Sequence, residues 1–215
     1  MIKGVIFDMD GVISATQIIH ATVESKILAR YGVNITPQEI SARYSGVRPS
    51  EFFDELLKKT GKSYDLNALM AEKWATVEKL AMVSVDPVEG AVELIKRLHK
   101  EGYPLAVASS SYSDYVNVVL KQLDVLKYFS FVVTGDLVSK GKPDPECFLL
   151  AATKIKIDPK NCLVIEDGIS GMKGAKTAGM YCIGLVEDKN KEYLTKNLVT
   201  SLFEVTSEYL DRLIK

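Results

Sequence analysis

The stretch Lys3-Gly4-Val5-Ile6-Phe7-Asp8-Met9-Asp10-Gly11 decides how the rest of the chain is read. Its apolar run stops abruptly on two aspartates and a glycine. A short run with no polar alternation predicts a strand buried on both faces, as in a parallel sheet covered by helices. The acidic pair then falls at the strand's carboxyl end, the edge of an open α/β sheet where ligands bind.

Outward from this stretch the pattern becomes helical. Ile19, Val23 and Ile27 recur at four-residue spacing, with Leu28 beside them, which predicts a helix from Gln17 to about Tyr31 and a stop at Gly32. Thr36-Pro37 opens a second helix, with threonine as cap and proline in the first turn. Pro49 to Lys59 reads as a third, with Phe52, Phe53, Leu56 and Leu57 on one side, and Asp65 to Leu80 as a fourth. Beyond Val83-Ser84-Val85-Asp86-Pro87 the pattern changes again. Helices expected over 88–100, 114–123, 145–155 and 170–178 alternate with apolar runs at 105–108, 131–133, 162–165 and 181–184. A short extended piece, Leu198-Val199-Thr200, and a last helix from about Ser207 complete the chain. The expected fold class is α/β, a Rossmann-like parallel sheet core built from residues 1–14 and 86–215. An all-helical cap at residues 15–85 interrupts it just above the ligand-binding edge.

Composition narrows the function. Among 215 residues, 27 basic and 28 acidic side chains leave a formal net charge of −1, so nucleic acid is not an expected partner. No apolar run approaches the roughly 18 residues that span a bilayer, and no membrane partner is expected. The N-terminus reaches Asp8 too early for a secretory signal. Cys147, Cys162 and Cys182 are scattered, with no CxxC pair, which fits reduced thiols in a cytoplasmic protein. With His20 and His99 alone, a multi-histidine zinc site is disfavoured.

Every informative polar cluster follows a predicted strand. Asp8 and Asp10 follow the first, Ser109 follows Leu105–Ala108, and Glu166 and Asp167 follow Cys162–Ile165. Lys142 lies in a loop after another. A parallel sheet brings these groups to one edge. Four carboxylates in one crevice repel one another, and a divalent cation relieves this better than protonation at neutral pH. Oxygen-only ligands favour Mg2+, which commonly shares its shell with a substrate phosphate. Lys142 and the Ser109 hydroxyl suit phosphate oxygens, with backbone N–H groups near Gly11 and Ser110 as further donors. The expected chemistry is phosphoryl transfer through an aspartyl phosphate. Asp8 is the expected nucleophile. Asp10 is the expected general acid and base, which calls for a raised pKa.

The motifs Asp8-Met9-Asp10-Gly11-Val12-Ile13, Ala106-Val107-Ala108-Ser109, Gly141-Lys142-Pro143-Asp144-Pro145 and Val164-Ile165-Glu166-Asp167-Gly168, in this order, resemble the haloacid dehalogenase superfamily. The helical stretch between the first two resembles its subfamily that includes β-phosphoglucomutase and phosphoglycolate phosphatase. The resemblance implies that Asp8, Asp167 and the Asp10 backbone carbonyl bind Mg2+, with Glu166 a direct or neighbouring partner. It also implies that Ser109 and Lys142 hold phosphate, beside which Ser110 is an expected phosphate-binding residue. His20, Arg48 and Lys73 are expected near the substrate. Where relatives often carry an aspartate this chain has Ala15, and where they carry a glutamate it has Gln17 or Ile18. The expected activity is a phosphatase acting on a small phosphorylated metabolite such as a sugar phosphate. A sugar phosphomutase is an alternative, and a non-enzymatic receiver-like module a more distant one.

Overall fold

The computed structural model describes residues 1–213. Six strands, β1 (Gly4–Phe7), β2 (Leu105–Ala108), β3 (Phe131–Val133), β4 (Cys162–Glu166), β5 (Tyr181–Leu185) and β6 (Leu198–Val199), form one sheet in the order β3-β2-β1-β4-β5-β6. Every pairing is parallel. The expected extended piece at 198–200 is therefore an edge strand of this sheet.

Burial on both faces explains the apolar runs. Val5 and Phe7 face one hydrophobic cluster with Leu105, Val107, Leu163 and Ile165, whereas Ile6 faces the other with Ala106, Val164 and Cys182. Successive side chains alternate across the sheet, so a strand covered on both sides needs apolar residues at every position. On the first face lie α5 (Ala91–Lys100), α6 (Ser113–Gln122) and α9 (Ser207–Arg212); on the second lie α7 (Glu146–Lys154) and α8 (Ile169–Thr177). Helix α5 begins after Gly90, three residues later than the periodicity suggests. Gly90 adopts φ +82°, a left-handed conformation that breaks the turn. All three cysteines are free and buried.

Four helices, α1 (Gln17–Ala29), α2 (Pro37–Tyr44), α3 (Pro49–Lys58) and α4 (Leu66–Val83), lie between β1 and α5. Helix α2 starts on a capping box in which the Thr36 side chain accepts from Glu39 N–H and Glu39 accepts from Thr36 N–H. The chain leaves and re-enters the sheet region through paired segments. Ala15 N–H donates to Asp86 O at 2.9 Å and Val88 N–H to Ile13 O at 3.0 Å. Among the described residues no helix is long and apolar enough to cross a membrane.

The strand order turns back between β1 and β4, since the chain runs outward through β2 and β3 and then returns to the other side of β1. A crevice opens at such a reversal, outside the carboxyl ends of the strands. Asp8 stands at the end of β1, and Glu166 and Asp167 at the end of β4.

Candidate active site

Asp8, Glu166 and Asp167 each offer a carboxylate oxygen within 4.8 Å of the others. Lys142 reaches into this group from the loop before α7. It is 1% exposed, and its Nζ forms ion pairs with Asp8 Oδ1 and, at 2.8 Å, with Glu166 Oε1. Glu166 is fully buried and uses its second oxygen to accept from Gly168 N–H at 2.6 Å. One ammonium thus faces three carboxylates. Burial pushes the Asp8 carboxyl upward and Glu166 adds to this, against the opposing charge of Lys142. Asp167 is also raised, by burial first and then by Glu166 and Asp8. Burial works against the charge on Lys142, but Asp8 and Glu166 outweigh it and hold the ammonium protonated.

The donor set fits a hard cation. Its side-chain atoms are all oxygens, suiting Mg2+ over softer metals. The main chain is shaped for a close approach as well. Gly11 adopts φ +94°, and a Cβ there would overlap Asp167 Oδ2, so glycine is needed both for the turn and for the space.

A pH dependence follows from the raised carboxyls. In metal-free protein the folded pKa values lie above the unfolded ones, so their stabilising effect is complete below the unfolded carboxylate range. It is lost as pH rises through the raised values. Metal-free protein should therefore melt at a lower temperature at about pH 8 than at about pH 5, with added Mg2+ restoring more stability at the higher pH. Melting curves at both pH values with and without Mg2+ test this; a metal-free melting temperature that climbs over the interval contradicts it.

Asp10 sits in a different environment. Its Oδ1 accepts from Thr16 Oγ1 at 2.5 Å and Tyr115 OH at 3.2 Å, and its Oδ2 from Ser111 Oγ at 2.8 Å. His20 Nε2 lies 3.4 Å from Oδ1 and has no closer partner. Burial pushes the Asp10 carboxyl up, but His20, Thr16 and Ser111 together outweigh it and hold the group well below the usual carboxylate range. The raised pKa expected for an acid is therefore not found in this conformation. Donors converge on the carboxylate and favour its charged form.

The remaining expected residues divide. Ser109 is 1% exposed, and its Oγ accepts from Ser111 N–H at 3.0 Å. Ser110 lines the cavity above Asp8, but its hydroxyl donates to Gly46 O, 2.9 Å away in the α2–α3 loop. Lys73 is fully buried in the cavity wall, with Nζ 2.8 Å from His20 Nδ1. Burial brings the Lys73 ammonium down to about 8, against the pull of Glu24 and Asp10. Arg48 does not meet the expectation. Val47 and Pro49 line the cavity, but the Arg48 guanidinium turns away and donates to the carbonyls of Gly135 and Val138, each at 3.0 Å, and of Ser139 at 3.2 Å. Three carbonyl acceptors in one loop satisfy a fork of N–H donors better than an open cavity does.

Sequence reasoning noted Gln17 only as a departure from relatives and missed Ser111, Tyr115 and Glu24 as members of the site. Gln17 Nε2 donates to Asp167 Oδ2, to Ser45 Oγ at 2.7 Å and toward Asp10 O at 3.4 Å, joining the α2–α3 loop to the carboxylate cluster. Ser111 and Tyr115 hold Asp10 from the loop and helix that follow β2. Glu24, on the inward side of α1, also lines the cavity. Ser111 was within reach of sequence reasoning, since it belongs to the same serine run as Ser109.

The haloacid dehalogenase-like hydrolase family model matches residues 5–185. The chain is 33% identical to the fructose-1-phosphate phosphatase of Escherichia coli (strain K12) over 177 residues, 82% of this chain and 93% of that protein. It is 29% identical to the β-phosphoglucomutase of Bacillus subtilis (strain 168) over 190 residues, 85% of this chain and 83% of that protein. Its structure is similar to the crystal structure of β-phosphoglucomutase from Clostridium difficile, with a TM-score of 0.86 and 26% identity, covering 99% of this chain and 97% of that one.

Proposed function

The chain belongs to the haloacid dehalogenase-like hydrolases, and from that premise we propose that it is a Mg2+-dependent phosphatase of small phosphorylated metabolites, working through an aspartyl phosphate. The observation that carries this is the cluster of buried Asp8, Lys142 and Glu166 with half-buried Asp167, where Asp8 lines a cavity of about 80 Å3. Asp8, Asp167 and the Asp10 backbone carbonyl would hold Mg2+, with Glu166 beside them. When bound, the cation neutralises phosphate charge and lowers the barrier to attack on phosphorus.

The Asp8 carboxylate attacks phosphorus; its O–P bond forms as the ester P–O bond breaks. Lys142 stays charged beside Asp8 and offsets the negative charge of the incoming phosphate. Asp10 gives the leaving oxygen a proton that it takes up with the substrate, since in the free protein its neighbours favour the ionised form. His20 Nε2 is 3.4 Å away and is backed by Lys73 at 2.8 Å from Nδ1. In the second step Asp10 accepts a proton from water, which attacks the phosphoryl group, restores Asp8 and releases inorganic phosphate. Residues 15–85 act as a cap over the cavity, moving against residues 1–14 and 86–215 for binding and release.

Hydrolysis is favoured over the mutase reading by Arg48. A sugar bisphosphate needs a second cationic pocket, and the nearby guanidinium is committed to backbone carbonyls. The test is p-nitrophenyl phosphate hydrolysis with and without Mg2+. Turnover that disappears on chelation is expected. Equal turnover under chelation contradicts the metal role, and hexose phosphate conversion that depends on a bisphosphate contradicts the hydrolase reading.

A further inference from the structure

Glu24 is 4% exposed and projects from α1 into the cavity that opens onto Asp8. Among the described residues its one charged partner is Lys73, with Nζ 3.5 Å from Oε1. That separation is an ion-pair contact and too long for a good hydrogen bond. A carboxylate offers about four acceptor sites. A carboxylate held by a single long contact at the cavity wall has acceptor capacity left for a ligand. The Lys73 ammonium is already committed. Besides Glu24 it meets His20 Nδ1 at 2.8 Å and the Trp74 ring, whose centroid is 3.2 Å from Nζ. Arg48 is turned to its loop carbonyls. The wall that would face the leaving group therefore presents an acceptor-rich carboxylate and no cation to spare.

Resting on the phosphatase reading above, we propose that Glu24 is a specificity-determining residue that selects esters with an uncharged, polyhydroxyl leaving group. Hydroxyls of the leaving group donate to the open acceptor sites of Glu24. The rest of the cavity wall, including Ile40, Tyr44, Val47 and Phe52, packs against its carbon skeleton. A leaving group carrying a carboxylate or a second phosphate meets like charge at Glu24 and finds no free counter-charge. Discrimination of this kind exceeds what an apolar pocket achieves, because the wrong substrate leaves a buried polar group unpaired.

The test compares kcat/KM of wild-type protein and Glu24→Gln for glucose 6-phosphate, phosphoglycolate and fructose 1,6-bisphosphate at fixed Mg2+, with p-nitrophenyl phosphate as the control for wild-type chemistry. Wild-type protein should favour the hexose monophosphate over both anionic esters by at least about tenfold. In Glu24→Gln that ratio should fall by about tenfold or more, mainly through KM, since the amide keeps the shape but lowers the charge. A wild-type enzyme that hydrolyses phosphoglycolate or the bisphosphate as well as the monophosphate overturns the proposal whether or not the variant folds. An unchanged ratio in a folded variant also overturns it. Absence of p-nitrophenyl phosphate turnover in wild-type protein is a separate result: it removes the phosphatase reading and this proposal with it.

Discussion

Asp8→Asn protein is expected to fold, to bind substrate and to lose turnover by roughly three to six orders of magnitude, the scale of removing a covalent nucleophile from a hydrolase. The substitution keeps the shape of the side chain at the end of β1 but takes away the charged oxygen proposed above as the nucleophile. Because Asp8 is 6% exposed and pairs with Lys142, some cost in stability is expected too. The amide oxygen still accepts a hydrogen bond from the ammonium, which keeps that cost small next to the loss of activity. Circular dichroism and initial rates with p-nitrophenyl phosphate, measured on the same preparation, separate the two effects. Activity within tenfold of wild type in Asp8→Asn protein would remove Asp8 from the mechanism.

Lys142→Met is the second large effect, and it falls on folding as well as activity. Methionine fills the channel to the crevice but leaves Asp8, Glu166 and Asp167 without their ammonium. Taking one partner out of a buried ion pair costs about 3–5 kcal/mol, because the charge left behind is neither solvated nor paired. Here more than one carboxylate is left behind. Urea denaturation of metal-free protein should show that loss at neutral pH. The deficit should shrink as pH falls and the carboxyls are neutralised, because the folded cluster then takes up protons more readily than the unfolded chain. Mg2+ should narrow the deficit, since it supplies positive charge to the same oxygens. A variant as stable as wild type without metal contradicts the reading of Lys142 as the cluster's counter-charge.

The sheet was legible because its strands are covered on both faces. Physics then requires unbroken apolar runs at Val5–Phe7, Leu105–Ala108 and Cys162–Ile165, and the polar residues that end them, Asp8, Ser109 and Glu166, mark the strand ends. Beyond that, legibility depended on how far a side chain's partner lies along the chain. Tyr115 holds Asp10 from more than a hundred residues away, and nothing local in the sequence signals that bond. Helix α1 misled in another way. Its apolar spacing correctly marked Val23, Ile27 and Leu28 as buried, but His20 and Glu24 are buried there too, while Ile18 is 48% exposed. An inward face with two polar groups does not produce a clean apolar stripe, so a reading based on stripes passes over Glu24, while His20 was found through the family resemblance. Arg48 failed for a third reason. A position in a loop does not determine which way a long side chain turns, and the carbonyls of residues 135–139 decided it. Strand β6 has two residues, too few for a period of two to register.

The paired segments 13–15 and 86–88 have an evolutionary consequence. Because the outgoing and returning chains hydrogen-bond side by side, the four helices hang from a point no wider than the base of a hairpin. Closing so narrow a base is nearly independent of how much polypeptide lies beyond it, since loop-closure entropy grows only with the logarithm of length. The helical segment can lengthen, shrink or be exchanged for an unrelated one while β1 and its acidic tip stay in register with β2 and β4. Insertions, deletions or substitutions among the four helices therefore need not disturb the carboxylate-bearing edge of the sheet.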